Sequence, residues 1–86
     1  MYRVETDSDA QHHIDALPTP ALAAYAELRV VLEVSPWSGE SINAAKPDAA
    51  VRTMSFGERH EGLVTYVILE QQREVHVLMV QWVGFD

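Results

Sequence analysis

Arg52, Arg59 and His60 are the residues whose types and spacing could do chemistry in this 86-residue chain. Arg52 sits in the short apolar run Val51 to Phe56, and Arg59 and His60 fall in the polar stretch Gly57-Glu58-Arg59-His60-Glu61-Gly62 that follows it. An arginine can grip a phosphate through two parallel hydrogen bonds and offset charge growing on it, and a nearby histidine can shuttle a proton. Together they are the minimum for cutting RNA through its own 2′-hydroxyl. The plainer alternative is an exposed strand arginine paired with Glu58 or Glu61, which contributes little.

Other chemistries find less support. His12 and His13 are adjacent and diverge on a helix, while His60 and His76 lie elsewhere without a metal-binding spacing, so no metal site is expected and the histidines read as solvated or capping groups. Ser35, Ser38, Ser41 and Ser55 lack the surroundings of a serine nucleophile, and no glycine-rich phosphate cradle or other cofactor motif is present. The absence of cysteine removes disulfides and thiolate chemistry.

The formal charge is −7, from 6 Lys and Arg against 13 Asp and Glu. Tight binding to free DNA or RNA is not expected of such a surface, because affinity for nucleic acid rests on clustered cations. Most cations, Lys46, Arg52, Arg59 and Arg73, lie after residue 45, which makes that half the better place for an anion contact. No export signal or membrane span is evident, so a cytoplasmic protein without membrane contact is expected.

These residues must be positioned by a small α+β domain spanning 1–86. Tyr2 to Thr6 alternates as a first strand, and Asp7-Ser8-Asp9 can cap a short helix carrying Ala10, Ile14 and Leu17, which Pro18 stops. A second helix follows, with Thr19 as cap and Pro20 in its first position. Ala21, Tyr25, Leu28 and Leu32 form its buried stripe, with Ala24 and Val31 beside it. Glu40 to Ala50 has no sustained period and reads as one long loop. Val51 to Phe56, Leu63 to Leu69 and Val75 to Val83 then read as an antiparallel meander, the middle run apolar on both faces and therefore central. The expected architecture is β-α-α-β-β-β, an N-terminal strand and a helical hairpin packed on a mainly antiparallel four-stranded sheet. Trp82 and Phe85, near the end, suggest a partner surface, with core packing the alternative for Trp82.

The ordered segments Ala16-Leu17-Pro18, Leu32-Glu33-Val34-Ser35-Pro36, Val51-Arg52, Gly62-Leu63-Val64-Thr65-Tyr66 and Val80-Gln81-Trp82-Val83-Gly84 give the chain a further meaning. In that order, over nearly its whole length, it resembles the RelE/ParE toxin superfamily. The resemblance implies a compact α+β domain partnered by a cognate antitoxin protein. It also implies either a ribosome-dependent mRNA endoribonuclease, as in RelE-like members, or a non-catalytic inhibitor of a protein target, as in ParE-like members. In the first case the ribosome and its mRNA are partners, Arg52 matches the basic position of the family's second strand, Arg59 and His60 complete the catalytic set, and Lys46 joins Arg52 in holding substrate. Leu63 stands where RelE-type nucleases place an arginine, and Phe85-Asp86 where a cation follows the last strand's glycine. Losing such contacts, at about 2 to 4 kcal/mol each, removes most of the rate of phosphoryl cleavage. A binding protein, or a scaffold without toxin activity, is the alternative to the nuclease.

Overall fold

The computed structural model describes residues 1–43, 45–46 and 48–83. In chain order these form β1 (Arg3–Thr6), α1 (Ser8–Asp15), α2 (Thr19–Val34), β2 (Glu40–Ser41), β3 (Val51–Phe56), β4 (Gly62–Leu69) and β5 (Glu74–Trp82), with a 3-10 turn over Pro36–Ser38. The sheet runs β1-β5-β4-β3-β2. Its last three strands are the expected antiparallel meander, and β1 returns to pair in parallel with β5. β4 is the central strand, as its two apolar faces require. The fold class is the expected α+β arrangement with one strand added: Glu40–Ser41 pairs with Thr53 and Arg52, so the sheet has five strands. Two residues are too short a stretch to show any period, which is why they read as loop.

Both helices cover one face. Ala21, Tyr25, Leu28 and Leu32 recur at helical spacing and are all buried against Val64, Tyr66, Ile68, Val75 and Val77. Tyr25 meets the ring of Phe56 edge-on at 5.8 Å. Phe56 in turn lies across Gly62, its partner on β4, where a Cβ would come within 2.3 Å of the ring. The helix ends differ in detail from expectation. Asp7 is the N-cap residue of α1, yet makes no side-chain cap hydrogen bond. Pro18, not Thr19, is the N-cap residue of α2, and Pro20 still costs nothing because first-turn N–H groups have no partner inside the helix. Val31 flanks the buried stripe beside Leu28, as expected, but is 40% exposed.

β5 departs from simple alternation. Tyr66 pairs with Val77 and Thr65 with Met79, so Leu78 is an extra residue in the ladder. The bulge moves the inward set from Val75, Val77, Met79 to Val75, Val77, Val80 and leaves Leu78 and Met79 exposed together. Just past the end of β1, α1 closes the edge of β5, where the Val80 N–H donates to His13 Nδ1 at 3.2 Å. His13 is thus a capping histidine. The uncovered sheet face carries the rows Glu40, Thr53, Thr65, Met79 and Ser55, Leu63, Gln81.

Candidate functional site

Arg52 lies on the helix-covered face of β3, in phase with Phe56, and is only 7% exposed. The expectation of an exposed strand arginine, paired with Glu58 or Glu61, is therefore corrected. The guanidinium carbon stands 5.0 Å from the ring centre of Trp37, and Nη1 donates to the Gly39 carbonyl at 3.4 Å. Its neighbour across the sheet is Tyr66, whose hydroxyl donates to the Pro36 carbonyl at 2.6 Å. The 3-10 turn carrying Pro36 and Trp37 is thereby pinned over Arg52. Gly39 is required there: a Cβ would meet the Tyr66 hydroxyl at 2.0 Å and the Thr53 carbonyl at 2.7 Å. Burial raises the Tyr66 phenol pKa, and the adjacent Arg52 charge partly offsets the rise.

Trp37 links this arginine to a second cluster. Its indole N–H donates to Glu70 Oε1 at 2.8 Å, which also accepts the Tyr2 hydroxyl at 2.5 Å. Arg73 Nη1 donates to Glu70 Oε2 at 2.6 Å, and its guanidinium lies 4.3 Å above the Tyr2 ring. Arg73 holds a left-handed backbone, φ 55°, in the turn between β4 and β5. These three donors, Tyr2 first, pull the Glu70 carboxyl down to about 2 from 4.5. A lowered folded-state value stabilises above the unfolded value and is lost as pH falls. The Glu70 contribution should therefore be complete above about pH 4.5 and vanish towards pH 2. Thermal unfolding across that window should fall more steeply for the wild type than for Glu70→Gln, and parallel curves would show that Glu70 is not held as described.

Ser55 faces the opposite side of β3 from Arg52, three residues along, and lies 2.7 Å from His60 Nδ1. The β3–β4 turn closes through the His60 N–H, which donates to the Gly57 carbonyl at 3.1 Å, and His60 itself adopts φ 58°. The adjacent Arg59 N–H donates to Glu61 Oε1 at 2.7 Å. Arg59 and His60 are thus neighbours in one exposed turn, and Arg52 is not with them. Ser55 went unrecognised as a partner because its link to His60 depends on the turn, and a serine five residues before a histidine carries no signal of its own. Beside Ser55 opens a groove of about 220 Å³ bounded by Glu40, Thr53 and Leu63.

Lys46 is exposed in the loop after β2, and its carbonyl lies 2.8 Å from the hydroxyl of Ser41, the residue paired with Arg52. The loop therefore folds back beside the Arg52 end of β3, away from the His60 turn. Trp82 is half-buried, with its ring 5.7 Å from Phe56, and combines core packing with exposure. Phe85 lies outside the described residues. Among the described residues, no group of three His, Cys, Asp or Glu side chains could hold a metal ion.

The arrangement divides in two. An arginine with aromatic and carbonyl partners is built into the covered face, while a serine–histidine pair sits on the open face among apolar and hydroxyl side chains. His60 can pass a proton to or from a group in the groove beside Ser55. No cation is among the described residues lining that groove, which Glu40 makes acidic.

This arrangement of sheet and helices superposes on solved structures of RelE toxins. The E. coli RelE toxin superposes with a TM-score of 0.79 at 12% identity, over 100% of this chain and 88% of that one. The toxin-antitoxin complex RelBE2 of Mycobacterium tuberculosis gives a TM-score of 0.80 at 21% identity, with 95% and 98% covered. The archaeal RelE-RelB complex of Pyrococcus horikoshii gives 0.63 at 17% identity, with 99% and 98% covered. No family model matches the sequence, and no curated protein matches it. The chain has the RelE toxin fold with a strongly divergent sequence.

Proposed function

We propose that this chain is the toxin of a type II toxin–antitoxin pair, a cytoplasmic protein restrained by a cognate antitoxin, and that it acts by binding a target rather than by cutting RNA. The likeness over whole chains to RelE toxins, several solved in complex with RelB-type partners, supports the first part. The observation that carries the second is the burial of Arg52 under Trp37 on the covered face. The open face instead presents Leu63, Leu78 and Met79, each more than a third exposed, beside Thr53 and Thr65. Apolar and hydroxyl groups on an open sheet face suit a protein surface better than a phosphate chain.

A second reading, a ribosome-dependent mRNA endoribonuclease, is favoured by the Ser55–His60 contact. In it His60 carries the proton with Ser55 orienting its ring and Arg59 neutralises the phosphate, while Arg52, buried on the covered face, and Lys46, in the loop beside it, stand apart from this set.

Controlled expression in bacteria tests both. Wild type should arrest growth, the pair Leu63→Glu and Met79→Glu should abolish arrest, and the pair Ser55→Ala and His60→Ala should keep it. Loss of arrest in the latter pair, with mRNA cut only by the wild type, establishes the nuclease instead. Unimpaired growth with soluble wild type overturns the toxin reading altogether.

A further inference from the structure

Across the molecule from the Arg52 cluster, a groove of about 500 Å³ runs between α2 and the β3–β4 turn. We propose that it docks a basic, amphipathic segment of a protein partner. Ala23 and Ala24 form the helix wall and Trp82 the aromatic floor, while Glu27 from α2 and Glu58 and Glu61 from the turn set three carboxylates around it. No cation is among the described residues lining it. The one cation of α2, Arg29, is turned the other way, with Nη2 donating to the Val4 carbonyl at 3.2 Å. Glu61 is occupied by the Arg59 N–H, and no ion pair among the described residues uses Glu27 or Glu58.

The apolar part extends along the helix. Val30 and Val34 lie on its outer side, 56% and 64% exposed, about two and three turns beyond Ala23 of the groove wall. A helix apolar on its outer side as well as its inner one is usually covered by something. Charge decides what. A nucleic acid is repelled by three carboxylates, and a second copy would bring another surface of charge −7 against the first. A segment with an apolar stripe along Ala23, Val30 and Val34 and a lysine or arginine over Trp82 satisfies both demands, since the indole face and the carboxylates attract the same cation.

The inference rests on the toxin reading only in taking a protein partner to exist, and it concerns a different face from the open sheet. Its test uses the full chain and three helical probe peptides, two sharing one leucine stripe but flanked by lysine or by glutamate, and a third with lysine and serine only. The lysine–leucine peptide should bind at least about tenfold more tightly than either of the others and should move the Trp82 indole resonance. Glu27→Lys with Glu58→Lys, both exposed positions, should weaken it about tenfold or more, while Leu63→Glu with Met79→Glu should leave it unchanged. Equal binding of the three peptides, shifts confined to Leu63, Thr65 and Met79, or indifference to the Glu27 and Glu58 changes would each overturn the assignment. Growth without arrest would remove the toxin reading and leave this result standing.

Discussion

Tyr66→Ala should cost about 3 to 5 kcal/mol, the largest loss expected from any single side chain of the covered face. Tyr66 has no exposed surface, and its ring sits at the centre of the covered face, on the central strand and beneath α2. Its removal loses the transfer energy of a large side chain and opens a cavity that Leu32 and Val64 can only partly fill. It also leaves the Pro36 carbonyl without the Tyr66 hydroxyl and frees the turn that carries Trp37. A domain of this length holds roughly 4 to 13 kcal/mol in total, so the loss is a large share. Tyr66→Phe separates the two parts, keeping the ring and losing only the hydrogen bond, and should cost about 1 to 2 kcal/mol. Urea unfolding of both variants measures the difference. Equal losses would mean that the anchor to Pro36, rather than the filled core, holds the element together.

Long-period signals made most of this fold legible. Four apolar residues at helical spacing, Ala21 to Leu32, marked the buried side of α2, and two apolar faces marked β4 as central. The failures share a physical cause: each involved structure fixed by a single residue or a pair. Leu78 shifts the alternation of β5 by one, so that Val80 replaces Met79 in the core, and nothing in the composition of the strand announces it. β2 is defined only by its pairing to β3.

The candidate site was less legible than the fold for the same reason. The arginine and histidine types were readable, but the sheet face each would take was not. Parity along β3 sends Arg52 inward with Phe56 and Ser55 outward, and the inward choice is stabilised by Trp37, whose contact with Arg52 spans 15 residues of sequence. A tryptophan after a Ser-Pro, in a turn without regular period, gives no warning of that stacking. Likewise the groove between α2 and the β3–β4 turn is assembled from Glu27, Glu58 and Trp82, which are remote from one another in the chain. The acidic balance was visible from composition, whereas its concentration around one aromatic floor is a property of topology.

Arg52 offers the sharpest separation of folding from chemistry. Arg52→Ala should lower stability by about 2 to 4 kcal/mol, because it removes a buried stem packed beneath Trp37 and the donor to the Gly39 carbonyl, and so loosens the 3-10 turn. Arg52→Met keeps a stem of similar reach in the same slot. Its cost should be about 1 to 2 kcal/mol for the long hydrogen bond to Gly39 and the cation–π contact with the indole, which are among the contacts of the guanidinium. If Arg52 serves the fold and the chain acts by binding, growth arrest should survive in Arg52→Met and decline in Arg52→Ala only as far as soluble folded protein declines. If Arg52 instead clamps a phosphate, both variants should lose arrest alike, even with Arg52→Met melting close to the wild type. Thermal unfolding and arrest measured side by side on the two variants thus assign the residue: tracking each other, they make it structural, and parting at methionine, they make it part of the chemistry.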